Sequence, residues 1–215
     1  MTPELSPEVA LPIRVGREIV ALRAQAARVE GTELLFVHTP ALPAVPLVRL
    51  HSGCVTGDVF ASQRCDCGAQ LDAAWAAILA GAGGGVLYVP SHEGRGIGLF
   101  NKILAYRLQE QGVDTFEANR RLGFPDDARD FAGCAAVLLA LGHRAVDLLS
   151  NNPAKASVLE AHGLRVRRTV PLVAGVSTYN QAYLEAKRDQ HGHALGVLVA
   201  EVEPGGPACA GGLAP

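Results

Sequence analysis

The chain carries no excess of either charge. Its 19 lysines and arginines stand against 21 aspartates and glutamates, a net charge of −2 with a sequence pI near 6.4. A global basic field that would hold nucleic acid is therefore excluded, and any polyanion site must be local. No apolar run reaches the length of a bilayer span, which predicts no membrane partner. The start, Met1-Thr-Pro-Glu-Leu-Ser-Pro-Glu8, lacks the basic-then-apolar layout of a secretion signal. Cysteine is scarce and odd in number, five in 215 residues, with three of them grouped. A disulfide framework is not expected from that pattern, and a reducing cytoplasm is. What remains is an ordinary globular composition, 49% hydrophobic and 19% charged, with enough apolar residues for a substantial core.

The grouped cysteines are the main chemical signal. Cys54, Cys65 and Cys67 lie in the run His51-Ser-Gly-Cys-Val-Thr-Gly-Asp-Val-Phe-Ala-Ser-Gln-Arg-Cys-Asp-Cys-Gly68. Zinc is held by thiolates, and a catalytic zinc keeps three protein ligands and leaves one position for water. Three thiols with no fourth cysteine nearby fit that open arrangement. Two other readings stay open: three ordinary buried thiols, or a closed structural site in which His51 supplies a fourth ligand.

Periodicity divides the chain into two styles. Residues 1–11 are rich in Pro and Glu and read as a flexible N-terminus. Arg14–Leu22, Glu33–His38 and Pro46–Leu50 are strand-like and punctuated by turn residues, which predicts antiparallel hairpins. Leu71, Ala74, Trp75, Ile78 and Leu79 then recur at helical spacing, followed by a strand at Val86–Val89. Leu99, Ile103 and Tyr106 share a helical face. A helix over Asp130–Leu141, a strand at Ala145–Leu149, a helix at Pro153–His162 and a strand at Leu164–Val170 complete the pattern. The expected fold is α/β with α+β elements. Its mixed sheet has N-terminal antiparallel strands and later βαβ units, with helices packed on it. A single domain is expected over residues 12–195, with a flexible Gly/Pro-rich tail at 196–215.

Ligands of such sheets bind beyond the carboxyl ends of the strands. Two connections there are suited to it. Ser91-His-Glu-Gly-Arg-Gly-Ile-Gly98 offers glycines for close backbone approach together with Glu93 and Arg95. Ser150-Asn-Asn-Pro-Ala-Lys155 offers a capped helix start with a lysine. Each is equally explained as a structural turn or cap. A third block, Asn119 to Asp130, mixes arginines and carboxylates; composition does not separate a solvated loop from phosphate contact and proton transfer.

Taken in order, these segments resemble GTP cyclohydrolase II. The matches are Arg49-Leu-His-Ser-Gly-Cys54, Thr56-Gly-Asp58, Arg64-Cys-Asp-Cys-Gly68, Glu93-Gly-Arg-Gly-Ile-Gly-Leu99, Asn101-Lys102, Asp114-Thr115, Glu117-Ala-Asn119, Leu122-Gly-Phe124, Asp127, Arg129-Asp-Phe131 and Asn151-Asn-Pro153. The resemblance implies that Cys54, Cys65 and Cys67 bind one Zn2+. It implies that Asp127 is a proton acceptor and that Arg129 engages the α-phosphate, with Tyr106 needed for ring opening. It places Arg49, Leu50, His51, Ser52, Gly53, Gln70, Glu93, Gly94, Arg95, Thr115, Ser150 and Lys155 at GTP-contacting positions. It further implies Mg2+ with the triphosphate, a homodimer, and the first step of riboflavin biosynthesis. In that step the guanine imidazole ring opens, releasing formate and pyrophosphate. Zinc suits this chemistry because it brings bound water to a pKa of about 7. Guanidinium stays protonated, so physics alone makes Arg129 a phosphate stabiliser.

Five positions depart from the family pattern. Gly53 replaces a glutamate beside a zinc ligand, and Ser91-His92 replaces Arg-Gln. Ser150 replaces threonine, and Ala154 a frequent lysine. They leave two alternatives to weigh: a paralogue with an altered nucleotide substrate or a partial reaction, and a non-catalytic, zinc-stabilised nucleotide-binding module.

Overall fold

The computed structural model describes residues 1–180; the expected tail at 196–215 lies outside the described residues. Strands β1 (Glu4–Leu5), β2 (Val9–Val15), β3 (Glu18–Val29) and β4 (Thr32–His38) form the antiparallel part. Strands β5 (Leu47–Ser52), β6 (Gly84–Val89), β7 (Ala145–Leu149) and β8 (Arg165–Val170) form the parallel part. Among the described residues five α-helices accompany them: α1 (Cys67–Ala80), α2 (Gly98–Glu110), α3 (Thr115–Arg121), α4 (Ala132–Ala140) and α5 (Pro153–Ala161). The eight strands make one mixed sheet in the order β1-β3-β4-β6-β5-β7-β8, with β2 also on β3. The join is antiparallel between β4 and β6, and parallel from β6 through β5 and β7 to β8. This is the mixed α/β sheet expected from the sequence.

Alternation along the strands decides which helix covers which face. On β4, Leu34 and Phe36 enter one core with Leu138 of α4 and Leu159 of α5. Val37 enters another with Trp75 and Ile78 of α1. Successive strand residues point to opposite faces, so one sheet supports both layers.

The N-terminal reading needs correcting. Residues 1–11 contain β1 and the first residues of β2, paired with β3 through Glu4 to Arg28 and Val9 to Ala24. The segment looks polar, yet Leu11, Ile13 and Val15 alternate and pack against the α1-side core. Likewise Arg14–Leu22 is not one strand. Gly16, at φ +59°, turns the chain between β2 and β3.

β5 positions everything that follows. It lies between β6 and β7, and the chain leaves β6 to reach β7 on the opposite side of β5. Because all three run parallel, their carboxyl ends, at Ser52, Val89 and Leu149, open toward one edge. The loops after them carry the cysteines, the glycine-rich turn and the start of α5. A ligand site at such a point is the general expectation for parallel sheets.

Candidate active site

A cavity of about 710 Å³ opens at that edge. One wall is the cysteine loop. The Sγ atoms of Cys54, Cys65 and Cys67 lie within 4.8 Å of one another, and the Cys54 and Cys65 sulfurs are 3.6 Å apart. A tetrahedral ion with Zn–S of about 2.3 Å would hold sulfurs about 3.8 Å apart, so the donor set suits zinc. Local structure makes the convergence possible. Val55–Val59 forms a single π-helical turn, and Cys67 opens α1, whose N-terminal amides favour a thiolate. Gly57 lies directly beneath the sulfurs. A Cβ there would stand 2.9 Å from the Cys65 sulfur and 3.1 Å from that of Cys54.

The cluster is electrostatically uneven. Hydrogen bonds from Cys65 and Cys67 pull the Cys54 thiol far below its ordinary range, overcoming burial, and Lys102 adds to the effect. Cys65, facing that anion, is pushed up to about 11.

Asp58 anchors this wall. Its Oδ2 accepts from the Cys54 backbone N–H at 2.9 Å and from the Tyr88 hydroxyl at 2.9 Å. Its Oδ1 faces His51 Nε2 at 3.1 Å. Burial pushes the His51 imidazole toward its neutral form, in which Nε2–H is the donor to the carboxylate. Among the described residues the ligand cluster consists of the three thiols, with His51 outside it. In this arrangement His51 is committed to Asp58 rather than to the thiols.

Behind the cavity floor, Arg49 donates to the Leu149 carbonyl at 3.3 Å and to Gln70, and Gln70 donates to Asp66. The cavity is also lined by Asp127 and Arg129, joined by a bidentate ion pair, Nε to Oδ1 at 2.8 Å and Nη2 to Oδ2 at 2.5 Å. Burial alone would raise the Asp127 carboxyl; the Arg129 contacts outweigh it and hold it below the usual carboxylate range. Arg129 also donates to Ser52 Oγ at 3.2 Å. The glycine-rich turn locates this pair. Arg95 sits at φ +63° between Gly94 and Gly96, and its carbonyl accepts from Ala128 N–H at 3.0 Å. A Cβ on Gly96 would meet the Ala128 backbone at 3.0 Å, so the close approach needs glycine.

The polar block from Asn119 to Asp130 thus splits. Asn119–Arg121 finish helix α3 rather than a loop, and exposed Arg120 pairs with Asp126, while Asp127 and Arg129 face the cavity. Tyr106 lies on the wall between Arg64, stacked 4.2 Å over its ring, and Lys102. Burial raises its hydroxyl above the ordinary phenol range. At the start of α5, Asn152 accepts from Ala154 N–H at 2.9 Å as a cap, as the sequence predicts. Lys155 is buried and donates to the Leu50 carbonyl at 2.8 Å.

Most residues singled out from sequence line the cavity: Arg49, His51, Ser52, Gly53 and Gln70 from the β5–α1 side, Gly94, Arg95 and Thr115 from the turn and α3, and Ser150 and Lys155 from α5. Two do not. The Leu50 side chain is in the core, and only its carbonyl faces Lys155. Glu93 is turned away, accepting from Val55 N–H at 2.6 Å and pairing with Lys102 at 2.7 Å. Lys102, Asp58 and Tyr179, which lines the cavity from beyond β8, received no role from sequence reasoning. The signal for Lys102 was there: it is a cation among apolar positions of α2. The face of α2 turned inward is Lys102 and Ala105, whereas Leu99 and Ile103 of the expected face are exposed.

The sequence matches the protein-family model described as GTP cyclohydrolase II over residues 4–171. The chain belongs to the GTP cyclohydrolase II family. It is 53% identical over 152 residues to the riboflavin biosynthesis protein RibBA of Mycobacterium avium (strain 104), covering 71% of this chain and 36% of that protein. The match to the protein of the same name from Mycobacterium tuberculosis (strain ATCC 25618 / H37Rv) has the same identity and coverage. The chain therefore spans about a third of the length of these curated relatives. The cysteine triad stands within the matched GTP cyclohydrolase II region, together with the Asp127–Arg129 pair and the glycine-rich turn. No helix among the described residues is long and apolar enough to cross a membrane.

Proposed function

We propose that this chain is a zinc-dependent GTP cyclohydrolase II. It opens the guanine imidazole ring of GTP, releasing formate and pyrophosphate to give 2,5-diamino-6-(5-phosphoribosylamino)pyrimidin-4(3H)-one, the first step of riboflavin biosynthesis. The observation that carries the reading is one cavity lined by both a three-thiol cluster and the Arg129–Asp127 pair. Zinc, when bound by Cys54, Cys65 and Cys67, supplies a Lewis acid and an activated water.

The chain's own residues do the rest. Arg129 presents guanidinium N–H groups for the α-phosphate, held by Asp127 and Ser52. Asp127, kept ionised, is the proton acceptor, and Tyr106, kept protonated, is a donor as C–N bonds break. Arg95, lying over the Phe116 ring at 4.5 Å, and Lys155 add positive charge for a triphosphate that arrives with Mg2+. Arg49, His51, Ser52, Gly53 and Gln70 form the GTP-contacting floor, with Gly94, Thr115 and Ser150 around it, while Leu50 and Glu93 act from outside the cavity through Lys155 and Lys102. The same reading makes the protein a cytoplasmic homodimer. In support, α2 exposes Leu99, Phe100, Ile103 and Leu104 along one side.

The test is formate and pyrophosphate release from GTP and Mg2+ by purified, zinc-loaded protein, with mass analysis of the product. Formate with the deformylated pyrimidine supports the reading. An intact formyl group or an unopened ring would identify a paralogue with a changed reaction, and metal-dependent GTP binding without turnover would identify a binding module.

A further inference from the structure

The most unusual charge in the molecule is the Lys102 ammonium. It is buried, with 7% of the residue exposed, and all three of its N–H groups have partners. Nζ lies 3.0 Å from the Cys54 sulfur, 2.8 Å from Thr56 Oγ1 and 2.7 Å from Glu93 Oε1. An ammonium has three donors, so this geometry saturates it. The partners are a metal-binding thiol, a side chain of the metal loop, and a carboxylate of the glycine-rich turn. Glu93 in turn accepts from Val55 N–H at 2.6 Å and Gly94 N–H at 3.1 Å. One cation therefore ties the metal loop to the turn that docks Asp127 and Arg129.

Charge accounting gives the reason. Three thiolates around Zn2+ leave a net charge of −1 in a half-buried site, and Glu93 adds another. A buried anion without a counter-charge is costly, and the Lys102 ammonium offsets it at hydrogen-bond distance. A hydrogen bond to a thiolate sulfur also draws electron density from it, so that the sulfur donates less to the metal and the ion stays more electrophilic.

We infer that Lys102 is a positioning residue for the metal centre, a fixed counter-charge that sets both how tightly the three thiolates hold zinc and how strongly Cys54 donates to it. This rests on the zinc reading of the site.

The test measures zinc affinity by competition with a chromophoric chelator, together with the sulfur-to-metal charge-transfer band of the Co2+-substituted protein. It uses the full chain as wild type, Lys102→Met and Lys102→Arg. Lys102→Met should lose about 10- to 100-fold in zinc affinity, as removal of outer-shell partners does elsewhere. Its charge-transfer band should move to longer wavelength because the Cys54 sulfur becomes a stronger donor. Lys102→Arg, which keeps the charge, should recover most of both effects. If Lys102→Met does not fold, as judged by circular dichroism, Lys102→Gln carries the same comparison. Wild-type affinity and an unshifted band in the neutral variant would overturn the inference. Absence of stoichiometric metal from the wild-type protein would instead overturn the zinc reading itself.

Discussion

His51 Nε2 lies 3.1 Å from Asp58 Oδ1, and the same carboxylate holds the Cys54 backbone N–H at 2.9 Å. The histidine three residues before a metal-binding cysteine is thus committed to the carboxylate that shapes the metal loop. Its remaining ring nitrogen, Nδ1, is buried without a hydrogen-bond partner among the described residues.

This arrangement predicts an open coordination position. X-ray absorption on zinc-loaded protein should report three sulfurs at about 2.3 Å and one light oxygen ligand. Outer-shell scattering from an imidazole at full occupancy would mean that His51 swings onto the ion and closes the site.

Gly57→Ala should abolish stoichiometric zinc binding. The added methyl would stand 2.9 to 3.1 Å from the Cys65 and Cys54 sulfurs and 3.0 Å from Cys67 Cβ, so the sulfurs must turn out of their converging rotamers or the loop must shift. Metal content of the purified variant is the check. One zinc per chain at wild-type affinity would show that the thiol loop yields more easily than its packing indicates. A related substitution meets a similar obstacle. Restoring the family glutamate at Gly53 puts its Cβ 3.0 Å from the Pro90 backbone and 3.1 Å from the Val89 carbonyl, so the loop has to shift to accept it.

Arg129→Ala should lower kcat by about 10²- to 10³-fold, the loss typical of removing one charge-stabilising group. Pyrophosphate release should be the step most affected. Without its partner, the Asp127 carboxyl should return toward higher pKa, which moves the acid limb of the pH profile to higher pH. Arg129→Lys should not rescue activity, because an ammonium cannot reproduce the bidentate pairing with Asp127. Unchanged formate and pyrophosphate release in Arg129→Ala would remove Arg129 from the mechanism.

His92 gives a pH dependence of stability. Its ring sits between the Ser52 hydroxyl at 3.3 Å and the Asp130 carbonyl at 2.9 Å, and burial lowers its pKa to about 4 from 6.5. A histidine held neutral by the fold contributes its full stability above about 6.5. That contribution is lost as pH falls toward about 4, because the unfolded chain takes up the proton first. The loss is at most about 3 kcal/mol across that window. Urea midpoints at pH 7.5 and 4.5 should therefore fall more steeply for wild type than for His92→Gln, which keeps a donor and an acceptor but does not titrate. Equal slopes would place the acid sensitivity elsewhere.

Much of this was legible in the chain. The switch from period-two to helical spacing after residue 67 announced antiparallel strands followed by βαβ units, since alternation and helical repeat are local properties of side-chain direction. The helix start at Pro153 followed from Asn152 and proline chemistry, and the metal cluster from three thiols in fourteen positions. The N-terminal pairing was hidden because Glu and Pro dominate its first residues. What stabilises β1 is the backbone of β3, more than twenty residues downstream, where Glu4 pairs with Arg28 and Leu5 with Ala27.

Residue types and their order established the family and the thiol cluster, because covalent spacing and hydrophobic period act over short distances along the chain. Only the tertiary structure could assign partners. It gave His51 to Asp58, separated Arg120 from Arg129 in one charged block, turned Glu93 from the cavity to Lys102, and brought that lysine from a later helix onto the Cys54 sulfur. The physical reason is that hydrogen bonds and ion pairs act over a few ångströms in space, and the parallel strands β5, β6 and β7 decide which loops come that close.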